Sequence, residues 1–125
     1  MTPIDSKKQI RLIFTMKDIS ALELESWCDE LLVRIADMVC EAGHKLLAIN
    51  CTLAEIHVFI EMFNEQHLND LINEIKETNI NWLNRKTGIE ETLEWESGFQ
   101  SELYPVSQMT RIISQIHNLR GTRPV

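Results

Sequence analysis

Glycine and proline are scarce in this chain of 125 residues, at four and three respectively. That excludes collagen-like, linker-rich and low-complexity organisation. No stretch approaches the roughly 20 consecutive apolar residues that a membrane-spanning helix needs, and the N-terminal Met1-Thr-Pro-Ile-Asp-Ser-Lys-Lys lacks an apolar signal core. The expectation is a cytoplasmic protein with no membrane partner. Cysteine is limited to Cys28, Cys40 and Cys51, odd in number and widely spaced, without a Cys-x-x-Cys pair. These read as buried reduced thiols rather than zinc ligands. There is no Gly-rich phosphate loop, no Ser-His-acid pattern and no His/Cys cluster. His44, His67 and His117 lie scattered at helix ends.

Positive charge is also short: 12 Lys and Arg against 19 Asp and Glu give a net charge of -7. Lys and Arg neutralising phosphates supply most sequence-independent affinity for nucleic acid, so the total counts against strong binding. It leaves room for a local basic face. Arg111, Arg120 and Arg123 gather in the last fifteen residues, where they suit either phosphates or the negative end of a helix dipole.

What is present suits a packed fold. With 44% apolar and 25% charged residues, the composition is that of a folded protein, and the length suits one domain spanning 1–125. Residues 9–16 carry apolar side chains at 10, 12, 14 and 16, the period of a strand. From Ser20 to Ala42, Leu24, Trp27, Leu31, Ile35, Met38 and Val39 form a helical stripe, with Ser20 and Glu23 as a capping box and Gly43 as the stop. Residues 45–51 and 55–62 predict a hairpin turning at 52–54. Leu68, Leu71, Ile72, Ile75, Trp82 and Leu83 predict a second helix over 66–84, with Gly88 at its exit. A short strand at 93–95, a loop over 98–105 and a last helix over 107–119, capped by Ser107, complete the chain. The order β-α-β-β-α-β-α predicts an α+β fold: a ferredoxin-like βαββαβ unit with an extra C-terminal helix, its antiparallel sheet carrying helices on one face.

Several stretches then carry a resemblance that runs from Lys8 to Arg120. They are Lys45-Leu-Leu-Ala-Ile-Asn, Ile56-His-Val-Phe-Ile-Glu, Asn73-Glu-Ile-Lys-Glu-Thr-Asn-Ile-Asn-Trp-Leu-Asn, Glu94-Trp-Glu-Ser-Gly-Phe, Val106-Ser and Ile112-Ile-Ser-Gln. In order and spacing, apart from a two-residue insertion around Glu102 and Leu103, they resemble the single-tyrosine transposases of the insertion-sequence-200-like kind, the HUH endonucleases. The resemblance implies an obligate homodimer with shared active sites. It also implies single-stranded or hairpin DNA as partner, and cleavage by a tyrosine on the last helix beside a divalent metal held by the HUH pair and a helix glutamine. A phenol is a weak nucleophile at neutral pH, and a metal stabilises the charge that develops on the phosphate.

Laid on this sequence, the HUH triplet becomes Glu55-Ile56-His57, with Ala54 where an Asp commonly precedes it. Gln115 falls at the glutamine position and Arg111 at that of the tyrosine. The resemblance thus implies a remnant metal site at Glu55, His57 and Gln115 for Mg²⁺ or Mn²⁺, which accept carboxylate oxygens; on the residues alone, Glu-x-His reads rather as a strand glutamate beside a structural histidine. Arginine cannot serve as the nucleophile. Shifting the register by one brings Thr110 or Ile112 to that position, neither of them tyrosine. The sole tyrosine, Tyr104, precedes the helix where the family has a packing aromatic and reads as structural, with a displaced nucleophile as the alternative. Trp82, Trp95 and Phe99 read as core, with base stacking as the alternative, and the acidic run 90–96 reads as a solvated face.

Three readings follow. The leading one is a homodimer that has lost strand transfer and retains hairpin or single-stranded DNA binding, with Arg111, Arg120 and Arg123 as the basic contacts. The second is a protein-interaction module suited to the acidic surface. The third is a metal-dependent nuclease that activates water through Glu55, His57 and Gln115.

Overall fold

The computed structural model describes residues 8–17, 21–52, 54–62, 68–87 and 94–119, with side chains except at 21–27 and 86–87. The elements are β1 (Lys8–Thr15), α1 (Ala21–Glu41), β2 (Lys45–Cys51), β3 (Glu55–Met62), α2 (Leu68–Thr87), β4 (Gln100–Tyr104), a 3₁₀ turn (Val106–Gln108) and α3 (Met109–His117). The sheet runs β2-β3-β1-β4, and every neighbouring pair is antiparallel. That is the strand order of the split βαβ unit expected from the sequence.

Alternation along the strands makes the sheet two-sided, because successive side chains point to opposite faces. Ile10, Leu12 and Phe14 of β1 and Ile56, Val58, Ile60 and Met62 of β3 face one side. There they pack with Cys28, Leu31, Leu32, Ile35 and Val39 of α1 and Leu71, Ile72, Ile75 and Leu83 of α2. Each fully buried aliphatic side chain of this kind contributes roughly 1.5–3 kcal/mol. The opposite phase carries a smaller cluster, in which Ala48 and Phe59 meet Ile112 and Ile116 of α3 and are ringed by Leu47, Tyr104, Met109, Ile113 and Leu119. A bulge in β2 between Leu46 and Ala48 brings both Leu47 and Ala48 to this second cluster.

The expectation of helices on one face therefore holds for α1 and α2, whereas α3 covers the other face. The fourth strand also lies elsewhere than expected. Residues 100–104, read as loop, pair with β1 from Ile13↔Gln100 to Gln9↔Tyr104, while Trp95 makes only an isolated bridge to Met16. The segment Gln-Ser-Glu-Leu-Tyr is an edge strand exposed along most of its length, so it lacks the apolar alternation that marks a half-buried strand. Ser107 falls within the 3₁₀ turn, and α3 begins after Gln108 with no side-chain cap.

Gly43 does end α1, at φ 91°, with its N–H and that of His44 donating to the carbonyls of Cys40 and Val39. Only glycine takes that backbone conformation without steric cost. The Ser20/Glu23 cap, the Gln66 start, the Gly88 exit, His67, Arg120 and Arg123 lie outside the residues described with side chains. One cysteine expectation is corrected: Cys28 of α1 and Cys51 of β2 are buried but joined as a disulfide, and Cys40 is exposed. Strand and helix bring together two residues that their sequence separation of 23 kept apart. No helix among the described residues is long and apolar enough to cross a membrane.

Candidate functional site

The α3-side face of the sheet gathers the polar residues that strand alternation turns away from the main core. β3 supplies Glu55, His57, Phe59 and Glu61, β1 supplies Gln9, Arg11 and Ile13, β4 supplies Gln100, Glu102 and Tyr104, and β2 supplies Asn50. Register sets Ile13 opposite His57 and Arg11 opposite Phe59, so Arg11 and His57 are diagonal neighbours across the two central strands.

They touch. Arg11 donates from Nε at 3.2 Å and from Nη2 at 2.9 Å to Nδ1 of His57. The other ring nitrogen, Nε2, lies 3.0 Å from Oε1 of Glu55. A guanidinium has no acceptor, so Nδ1 must be the lone-pair nitrogen and Nε2 carries the proton that Glu55 accepts. Burial pushes the His57 pKa below its ordinary 6.5; the hydrogen bond to Glu55 opposes that shift, and the charge of Arg11 adds to it. At 5% exposure, the ring is a neutral link between a carboxylate and a guanidinium.

Asn50, opposite His57 on β2, anchors α3 to this face. Its Nδ2 donates to the carbonyls of Ile116 at 2.8 Å and His117 at 3.2 Å, and its Oδ1 accepts from the backbone N–H of Cys51 at 2.9 Å. On β1, Gln9 is 4% exposed, and its Nε2 reaches Oε1 of Glu61 and Sδ of Met109 at the start of α3. Gln9 Oε1 has no partner among the described residues.

The residues singled out from sequence divide into two groups. Glu55 and His57 come together as expected. Gln115 and Arg111 stand a turn apart on α3, both exposed; Arg111 donates to Oε1 of Gln108, and among the described residues no hydrogen bond within the chain joins Gln115 to Glu55 or His57. Both ring nitrogens of His57 are engaged and a fixed cation abuts the ring, so in this arrangement the residues do not fit a divalent ion. Among the described residues, no three His, Cys, Asp or Glu side chains group as metal ligands.

Tyr104 lies on β4, its ring edge-on to Phe59 at 6.0 Å and its hydroxyl donating to Oε2 of Glu102 at 3.1 Å. Trp82, Trp95 and Phe99 pack against the main core. Arg34 covers the Trp82 ring at 4.7 Å, and Trp95 Nε1 donates to the carbonyl of Lys76 at 2.8 Å. Within the acidic run, Glu94 and Glu96 are exposed.

Sequence reasoning missed Arg11 and Asn50. The signal for Arg11 was present: a charged residue at the off-phase position of a strand whose neighbours on either side are apolar. Its partner, 46 residues away, was visible only once the register was known.

Residues 5–118 match the profile of the family described as Transposase IS200 like. Among solved structures, the chain is similar to a protein from Deinococcus radiodurans assigned to the transposases, with a TM-score of 0.70 and 13% identity over 98% of both chains. It is also similar to a REP-associated tyrosine transposase bound to a REP hairpin, with a TM-score of 0.64 and 12% identity over 89% of this chain and 65% of that one. At those identities the likeness is one of fold. No curated protein sequence matches.

Proposed function

This chain belongs to the IS200-like transposase family, and on that premise we propose that it is a homodimeric binder of single-stranded or hairpin DNA that does not cut its ligand. The observation that carries the proposal is the pair of positions that would have to supply a nucleophile. On the resemblance, Arg111 of α3 stands at the tyrosine position, and a guanidinium cannot attack a phosphodiester. Tyr104, on a different element, has its ring packed on Phe59 and its hydroxyl bonded to Glu102. Neither arrangement offers a phenol beside the Glu55–His57 pair.

DNA binding is supported by the likeness to a transposase bound to a hairpin and by Arg111 exposed on α3. Dimerisation is supported by β4, an edge strand whose Leu103 is 60% exposed. Joining two such edges would cover groups that otherwise invite aggregation. The net charge of -7 favours a second reading, in which the scaffold binds protein instead.

A hairpin-binding and cleavage assay with Mg²⁺ and Mn²⁺ separates the readings. The proposal expects binding that weakens with salt and with Arg111→Ala, and no cut product in either metal. Absence of binding at low salt would favour the protein-binding reading. Metal-dependent cleavage lost in His57→Ala would establish the nuclease.

A further inference from the structure

Arg11 is a permanent charge half-buried on the central strand of the sheet. It projects on the face that α3 covers, into a protein whose acidic residues outnumber its basic ones. Two of its N–H groups converge on His57 Nδ1, and no carboxylate pairs with it among the described residues. Glu102 stands directly opposite on β4 but accepts from Tyr104. Glu55, the nearest acid in the chain of contacts, binds the far side of the histidine. A guanidinium carries five donors, so three remain, on a side chain whose orientation the histidine fixes. Glu102 opposite, Glu61 diagonal and Glu55 beyond the ring share this face, so what the half-buried guanidinium offers an anion is its unused fork of donors.

Resting on the DNA-binding reading, we propose that Arg11, held in place by His57 and Glu55, is a phosphate-binding residue that grips one backbone phosphodiester of the bound strand. The guanidinium supplies positive charge and a planar fork of donors matched to phosphate oxygens. It offers no open coordination position through which water or a nucleophile could be activated. Glu55 and His57 are positioning residues in this arrangement: the carboxylate orients the ring, and the ring aims the guanidinium. Binding therefore needs no divalent cation, and the same contact that retains the strand occupies the histidine.

The test measures hairpin DNA binding by the full chain in EDTA across a salt series. Arg11→Gln should weaken binding about tenfold to a hundredfold, the loss of one charge-assisted contact, and flatten the salt slope by about 0.7, as for one phosphate on a single strand. Arg11→Lys should recover part of the affinity, because it keeps the charge without the fork. Should Arg11→Gln fold poorly, the wild-type protein suffices: the Arg11 Nε–H resonance should shift on titration with the hairpin, and Mn²⁺ should leave the His57 ring unbroadened. If wild type binds while Arg11→Gln binds equally with the same salt slope, or the Nε–H signal does not move, the proposal is overturned and the DNA-binding reading stands. If Mn²⁺ broadens His57 and tightens binding, the proposal is likewise overturned. If wild type binds no hairpin at all, both readings fall together.

Discussion

Replacing Asn50 tests how α3 is held over the candidate site. The side chain is 7% exposed and links three backbone groups: the N–H of Cys51 on β2, and the carbonyls of Ile116 and His117 at the end of α3. Asn50→Ala leaves all three without that partner. A buried group stranded in this way costs about 1–3 kcal/mol, less for the His117 carbonyl, whose residue is exposed, and less for the Ile116 carbonyl, which still accepts from the Leu119 N–H. The sum is about 2–4 kcal/mol, a large part of the 5–15 kcal/mol typical of a domain. For a chain of this length it corresponds to a fall in melting temperature of about 8–15 °C. Urea denaturation gives the free energy, and hydrogen exchange locates it. Amides of α3 should lose protection first, because α3 packs only on the small Phe59 cluster, whereas β1 and β3 are buried between helices and neighbouring strands. Asn50→Asp preserves the acceptor for Cys51 but sets a carboxylate against two carbonyl oxygens, so at neutral pH it should destabilise at least as much as alanine. Both variants within about 0.5 kcal/mol of wild type, with α3 exchange unchanged, would refute the assignment of Asn50 as the anchor.

Two further predictions concern His57 and the cysteines. Burial lowers the folded pKa of His57 below 6.5, so the unfolded chain binds the extra proton more readily. Stability should therefore be complete above 6.5, fall as pH drops through the folded pKa, and rise with pH in between. Urea midpoints between pH 5 and about 7.5 should show this slope reduced in His57→Gln, the remainder belonging to groups such as His44, which burial shifts the same way; identical slopes would contradict the neutral, arginine-bound ring. The Cys28–Cys51 disulfide spans 23 residues and should contribute about 3 kcal/mol. Maleimide labelling in denaturant should reach Cys40 alone until reductant is added, and labelling of all three without reductant would contradict the link.

Much of the scaffold was legible from periodicity. β2 and β3 fall at 45–51 and 55–62, as expected, because both are apolar enough to declare a strand and share a tight turn. β4 was not legible: Gln100 to Tyr104 is exposed, and what makes it a strand is pairing with β1, a long-range property that no local pattern encodes. The side of the sheet that α3 takes was hidden for a similar reason, since it depends on Phe59 being the off-phase apolar residue of β3 and on the β2 bulge. Within the site, alternation placed Glu55 and His57 on one face. The clamp on His57 by Arg11 and the role of Asn50 depend on strand register, and so could be read only from the assembled sheet. The cysteine pairing has the same origin, in a helix and a strand brought side by side.

The function proposed for this member of the IS200-like transposase family is strand binding without cutting. Incubation of the purified full chain with a labelled DNA hairpin, in the presence of Mg²⁺ or Mn²⁺, tests it most directly, with bound and cleaved species resolved in parallel on native and denaturing gels. A salt-sensitive complex is expected, with no shortened strand and no covalent protein–DNA adduct in either metal. A cut strand, or an adduct at Tyr104, would contradict it.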